Sequence, residues 1–435
     1  MILIVLIFLS IIFISSIYAS NKCFGAPAVI FSASFLFSGM WAYRYAGAWN
    51  RSLQWNTSVI IVTSVFLFVF TCVISSHFHR RLKYYSNYKY TNIDLDYEFI
   101  NIDKWKVITY LIIEILIITI YARQIIRGSN LLLLSDAINS VYMGRAELSL
   151  PLHIRILLAV IRGGGYWFSY VIVVNFLKSK KIEWLMVIIV VLSMIATSLA
   201  GSRGTSICLL LSFPAYVLIL SYRNNRFNRS IKIKYIISGI ILIIILLWIF
   251  PRIKILLGRG TSSSGMNHVA VYVGAEFFNL DRYLNSFDIP TNTGTFASLT
   301  FSSLETTLAK YFGFTINKPY MPYPYIYSNG LFLGNVYTVL YEFLYDFGYF
   351  GSLVAVALYA WFCQIVFDKA STTIIDNKIP ISVLIYGYLF GLLTVSFFSW
   401  WAGNYIFSTA FIYIILTWVV FNIFFIELKF CFKRN

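Results

Sequence analysis

The stretch EWLMVIIVVLSMIATSLAGSRGTSICLLLSFPAYVLILSYR, residues 183–223, decides the fold. Two apolar runs, 183–200 and 204–222, flank a four-residue joint, GSRG. Each run is long enough to cross about 30 Å of hydrocarbon, and the joint leaves room only for a tight reversal. An ionisable side chain at that depth is costly and marks a functional site by default. Arg203 occupies that position. The same pattern recurs along the chain. Eleven candidate spans read as 2–18, 27–44, 57–76, 106–123, 154–177, 183–200, 204–222, 235–251, 338–366, 380–398 and 405–426. Lipid offers no hydrogen-bond partner to a backbone, so these spans must be helices. The expected class is an all-α, polytopic integral membrane protein. Composition excludes the alternative: 59% of residues are hydrophobic and 12% charged, where a soluble domain is about a quarter charged. Mean hydropathy is +0.77.

The opening MILIVLIFLSIIFISSIYAS ends in small residues, as a signal peptide does, but lacks a basic leading region. It reads as the first span. Short basic loops stay cytoplasmic. HFHRRLKYY (77–85), KSKK (178–181), RNNRFNRSIKIK (223–234) and LKFCFKRN (428–435) alternate with an external amino terminus and an internal carboxyl terminus. On that topology the inner side carries 14 Lys and 6 Arg, the outer side 11 Arg and 3 Lys. Lysine inside is the ordinary topology signal. Arginine outside asks for more, because its planar fork pairs bidentately with phosphate. The chain divides into spans one to eight (1–251), a long outer loop (252–337), and the last three spans with a cytoplasmic tail (338–435). The loop is too aromatic for disorder. Segments 268–284 and 296–314 read as short amphipathic helices, and PYMPYPYIY (319–327) as an extended aromatic strip.

Several constellations carry chemistry. GSRG places Arg203 beside a helix start at Gly204, whose positive end favours an anion. AVIRGGGYWF places Arg162 against three glycines, which are costly inside a helix; they point to a break or to close approach of a helix or ligand. PRIKILLGRG adds Arg252, Lys254 and Arg259 at the start of the loop. For each arginine the plain alternative is a side chain snorkelling to headgroups. His268 is the candidate proton acceptor, with Glu276, Asp281 and Glu305 competing. In GNVYTVLYEFLYDFGYFG (334–351), Glu342 and Asp346 stand four apart and share a helix face. They are expected to pair with arginine, with acid–base work or plain helix packing as alternatives. Other signals are bland. Asp94-x-Asp96 lies in a loop too short for a sugar-nucleotide domain, the Asn56 and Asn228 glycosylation patterns recur by chance, and Glu114 reads as bonded to neighbouring helices. The five cysteines have neither disulfide nor zinc spacing, so no metal or cofactor is expected.

Outer arginines and a tyrosine-rich loop suit a phosphorylated lipid carrying a sugar, whose apolar faces stack on rings. Arginine would stabilise the charge growing on a departing pyrophosphate. At AGSRG (200–204) and the NVYT…DFG..G pattern of 334–351, the chain resembles the Wzy-type O-antigen polymerases, over most of its length. That resemblance implies a GT-C-like membrane glycosyltransferase in the bacterial cytoplasmic membrane, its site facing outward. Such enzymes move a growing glycan from undecaprenyl pyrophosphate onto a new lipid-linked repeat. It implies pyrophosphate contacts from Arg203, then Arg162 and Arg252, with Arg259 assisting. His268, Glu305 and Asp346 are then the catalytic candidates, and Asn335, Tyr337 and Tyr323 shape the site or bind sugar. The implied partners are the lipid-linked glycan, membrane lipids, a chain-length regulator and a flippase, with no nucleic acid. Two alternatives use the same substrate: an O-antigen ligase, and a flippase or transporter.

Overall fold

The computed structural model describes residues 1–86, 99–142, 150–199, 204–223, 265–286, 297–313, 323–372 and 378–428. It is about 79% helical, with one two-stranded hairpin among the described residues. Among the described residues, seven helices are long and apolar enough to cross a membrane: Ile2–Ala19, Trp55–Phe78, Lys104–Ser129, Leu152–Ser179, Gly204–Ser221, Val339–Thr372 and Thr409–Glu427. Two shorter apolar helices, Trp184–Ser198 and Ile381–Thr394, match expected spans in position. The expected second span is the helix Pro27–Tyr45, with proline at its start; serines, glycine and Arg44 dilute its hydropathy. The expected span 235–251 lies outside the described residues. The chain is therefore a multi-pass membrane protein.

In chain order the helices are α1 (Ile2–Ala19), α2 (Pro27–Tyr45), α3 (Trp55–Ser86), α4 (Lys104–Ser129), α5 (Leu134–Tyr142), α6 (Leu152–Ser179), α7 (Trp184–Ser198) and α8 (Gly204–Arg223). The loop contributes α9 (Gly265–Val273), α10 (Ala275–Asn285), α11 (Ser302–Phe312) and the strands β1 (Ile326–Ser328) and β2 (Leu331–Gly334). Then follow α12 (Val339–Thr372), α13 (Ile381–Thr394), α14 (Trp401–Ile406) and α15 (Thr409–Phe421), which runs on into a wider π-turn, Asn422–Glu427.

The chain forms two compact units. The first comprises Met1–Asn92, Ser263–Asp368 and Leu392–Ser408. Its core is aromatic: Phe31 of α2 stacks on Phe68 of α3 at 3.8 Å, and Phe68 meets the edge of Tyr359 at 5.7 Å. The expected single helix over 268–284 is two helices, α9 and α10, separated at Gly274. A Cβ there would lie 2.7 Å from the Ala42 nitrogen, so the pair is pressed onto the backbone of α2. The aromatic strip ends in the β-hairpin. Asn329 and Gly330, both at positive φ (50° and 70°), form its turn, the conformation that a two-residue hairpin turn demands.

The second unit comprises Ile93–Ser262, Lys369–Gly391 and Thr409–Asn435. Here α6 is the central element, with Tyr166 to Asn175 buried along its length. Indole and amide groups settle its polar contacts. Trp167 Nε1 donates to Asn422 Oδ1 at 3.0 Å, and Asn422 Nδ2 to the Ile379 carbonyl at 2.9 Å.

Candidate functional site

The densest polar arrangement of the first unit gathers at the start of α12. This helix is not continuous. At Gly348 the backbone takes φ 66° and ψ −169°, a region almost restricted to glycine. The DFG of the sequence pattern is thus a joint: Gly348 turns the chain, and Asp346 stands just before the turn. Asp346, 8% exposed, accepts from the Thr300 nitrogen at 2.6 Å, the Leu299 nitrogen at 3.1 Å and the Ser298 hydroxyl at 3.4 Å. It staples loop residues 298–300 to the helix, at about 1.5–3 kcal/mol for each bond to a charged group. Trp400 closes the other side of the loop, its Nε1 donating to the Thr300 carbonyl at 2.9 Å.

One turn earlier, Glu342 is 2% exposed. Its Oε1 accepts from the Ser399 hydroxyl at 2.7 Å, the Trp400 nitrogen at 3.1 Å and the Tyr323 hydroxyl at 3.3 Å. Its Oε2 is buried and has no hydrogen-bond partner. The expected arginine partner is therefore corrected for Glu342. The non-helical segment at 395–400 lies against this turn and supplies the donors first.

Tyrosines surround these carboxylates. Tyr341 stacks on Tyr337 at 4.3 Å and lies 4.7 Å from Tyr283, 5.5 Å from Tyr323 and 6.1 Å from Tyr345. Burial, then the neighbouring Glu342 charge, pushes the Tyr323 hydroxyl well above its ordinary pKa, so it remains a donor to that carboxylate. Tyr337 donates to the Pro324 carbonyl at 2.9 Å. Asn335 is half-buried at the exit of β2.

The loop elements are fixed from outside the loop as well. Asp281 Oδ1 accepts from the Gln54 nitrogen at 2.9 Å and the Thr57 hydroxyl at 2.6 Å. It thereby caps the start of α3, where backbone N–H groups lack helical partners. Arg51 Nε donates to Ser328 at 2.7 Å, and Ser328 donates on to the Trp49 carbonyl at 2.7 Å. Arg51 therefore positions the hairpin. Asn279 Nδ2 bonds the carbonyls of Leu333 and Val336 at 3.2 and 2.8 Å.

In the second unit, Arg162 is half-buried on α6. Its charge is felt at Tyr121, Tyr166 and Cys208, on α4, α6 and α8. It sits among helices rather than reaching along one. The triglycine causes no break, since α6 is helical throughout Leu152–Ser179. Each glycine instead admits a neighbour. A Cβ at Gly163 would lie 3.0 Å from Thr417 Cβ, at Gly164 2.1 Å from the Tyr110 hydroxyl, and at Gly165 2.9 Å from Ser193 Cβ. Glu114 bonds Ser193 of α7 at 2.7 Å, as expected of a carboxylate serving helix packing.

The remaining candidates fall unevenly. Glu305 is partly exposed on α11, a helix with no buried residue. His268 lies on α9, but its side chain is outside the described residues, as are Arg203, Arg252, Lys254, Arg259, Asp94, Asp96 and Asn228. Sequence reading missed the hairpin, although Asn-Gly between two apolar triplets was its signal. It also missed the roles of Ser399 and Trp400, which have no local signature.

Glu276 is the outlier. It is 0% exposed, and neither carboxylate oxygen has a hydrogen-bond partner. Burial pushes its pKa well above the ordinary value. The folded chain then holds a proton that the unfolded chain releases near pH 4.3, about the ordinary glutamate value. Stability is full below that pH and declines as pH rises towards the raised folded value. The apparent melting temperature in detergent is expected to fall as pH rises above about 4.3, and Glu276→Gln to flatten that slope. A variant with the wild-type slope would locate its source elsewhere.

Comparison with protein-family models, with curated proteins and with solved structures finds no match to this chain.

Proposed function

We propose that this protein is a membrane glycosyltransferase that polymerises lipid-linked oligosaccharide repeats at the outer face of the bacterial cytoplasmic membrane. The donor is a glycan on undecaprenyl pyrophosphate, and the acceptor is the distal sugar of a new lipid-linked repeat. The observation that carries this reading is the cluster of five tyrosines next to Glu342 and Asp346 at the head of α12. Rings offer stacking surface to the apolar face of a sugar, while carboxylate and hydroxyl groups meet its polar edge. A ligand with a long hydrocarbon tail suits a protein whose helices already lie in lipid. Arginine near the outer rim supplies the charge that a pyrophosphate needs as it leaves. On the sequence reading alone, Arg203 and Arg162 take that part, helped by Arg252 or Arg259.

The test is reconstitution of the purified protein with one defined lipid-linked repeat. A ladder of products is the expected result. Formation of no glycosidic bond would overturn the reading. Movement of the lipid across acceptor-free liposomes, without bond formation, would identify a transporter instead.

A further inference from the structure

We infer that Glu342 is the group that takes the proton from the attacking sugar hydroxyl, through its Oε2. The inference rests on the glycosyltransferase reading above. Five described carboxylates of the loop and the head of α12 compete for this work, and their surroundings separate them. Asp346 offers both oxygens to backbone N–H groups at Leu299 and Thr300. Asp281 is committed to capping α3. Glu305 stands on a helix that buries no side chain, so nothing holds it in place. Glu276 has no donor on either oxygen, so nothing orients it. Among these five, Glu342 combines firm orientation with an unpartnered acceptor. Three donors hold Oε1, whereas Oε2 is buried without any partner.

An unsatisfied buried acceptor costs about 1–3 kcal/mol. A fold retains that cost where a ligand group completes the bond. The tyrosines define what kind of ligand fits. Tyr323 and Tyr341 lie beside the carboxylate, Tyr345 packs against Tyr341, and the Tyr345 hydroxyl is also buried without a partner. A pyranose matches both features, with a C–H face for the rings and hydroxyls for the unpaired polar atoms. The titratable groups that interact with Glu342 are Tyr323 and Tyr341.

In the step, the acceptor O–H bond breaks and its proton passes to Glu342 Oε2. The freed oxygen pair forms the new bond to the anomeric carbon. The bond from that carbon to the pyrophosphate oxygen breaks, and its electron pair leaves with the pyrophosphate.

Two variants test the assignment in the reconstituted full-length protein. Glu342→Gln keeps an oxygen for the Ser399, Trp400 and Tyr323 donors but cannot take a proton. It is expected to lower kcat about 100-fold or more, the usual contribution of a general base, with acceptor KM within about threefold of wild type. Tyr323→Phe removes one donor to the charged form. Because a carboxylate that loses a donor holds its proton more tightly, the acidic limb of the kcat/KM profile is expected to move to higher pH. A folded Glu342→Gln protein turning over within about threefold of wild type would overturn the inference. So would an acidic limb that stays in place in Tyr323→Phe, or one abolished by His268→Ala but not by Glu342→Gln. Should Glu342→Gln fail to fold, the Tyr323→Phe profile decides by itself. A wild-type protein that forms no glycosidic bond strikes the parent reading instead.

Discussion

Arg203→Lys is expected to abolish chain growth almost as completely as Arg203→Ala, each lowering turnover by about 100-fold or more. Charge alone would make lysine an adequate substitute. Geometry does not, because a guanidinium offers parallel N–H groups that grip two oxygens at once, whereas an ammonium is a point charge. Arg203 lies outside the described residues, but the ends that carry its turn are held tightly. Ser206 at the start of α8 donates to the Met194 carbonyl at 2.7 Å. Its hydroxyl also lies 2.9 Å from that of Thr197 and 2.7 Å from that of Ser198. Hydroxyl groups therefore tie the end of α7 to the start of α8. Gel analysis of products from the reconstituted variants gives the answer. Long chains at wild-type levels from Arg203→Ala would remove Arg203 from the mechanism. Full activity from Arg203→Lys, with loss in Arg203→Ala, would reduce its part to simple charge.

How much of this was legible beforehand depends on how far apart in sequence the cause and its effect lie. Apolar run length is a local property, and the spans that the structure describes fall where the runs are. The i,i+4 spacing of Glu342 and Asp346 is local too, and both do lie on one short helix. Their partners are not local. Ser399 and Trp400 come more than fifty residues later in the chain (Glu342 to Ser399 spans 57 residues), so arginine was expected where a serine and a backbone N–H were found. The triglycine was ambiguous for the same reason. Three glycines in a row permit either a broken helix or crowding from outside. The neighbours that settle the matter, Thr417, Tyr110 and Ser193, belong to three different helices. The break inside 268–284 hinged on Gly274, which reads as one permissive residue until the backbone of α2 is laid against it. Asn329-Gly330 was readable throughout, and the neighbouring aromatic strip obscured it.

Gly165→Leu is expected to prevent the second unit from folding, or to cost it about 3 kcal/mol or more. Helices in lipid gain little from hiding apolar surface, so their association depends on close packing, and small residues at the contact make that possible. Gly165 is such a contact. A Cβ there would stand 2.9 Å from Ser193 Cβ and 2.9 Å from Leu209 Cδ2. Leu209 can rotate away, but Ser193 Cβ is fixed to the backbone of α7 and cannot. The whole of α7 would have to retreat from α6. Ser193 Oγ also donates to Glu114 Oε1 at 2.7 Å, and Glu114 is fully buried. Moving α7 therefore strips a buried carboxylate of a hydrogen bond, adding about 1–3 kcal/mol to the cost of overpacking. Gly47→Ala is the matched control, since a Cβ at Gly47 would meet nothing within 4 Å. Monodisperse yield and apparent melting temperature in detergent separate the two variants. A Gly165→Leu protein matching wild type in both would mean that α6 and α7 do not meet at this glycine. The reason for three consecutive glycines beside Arg162 would then have to be sought in the arginine's ligand rather than in its neighbouring helices.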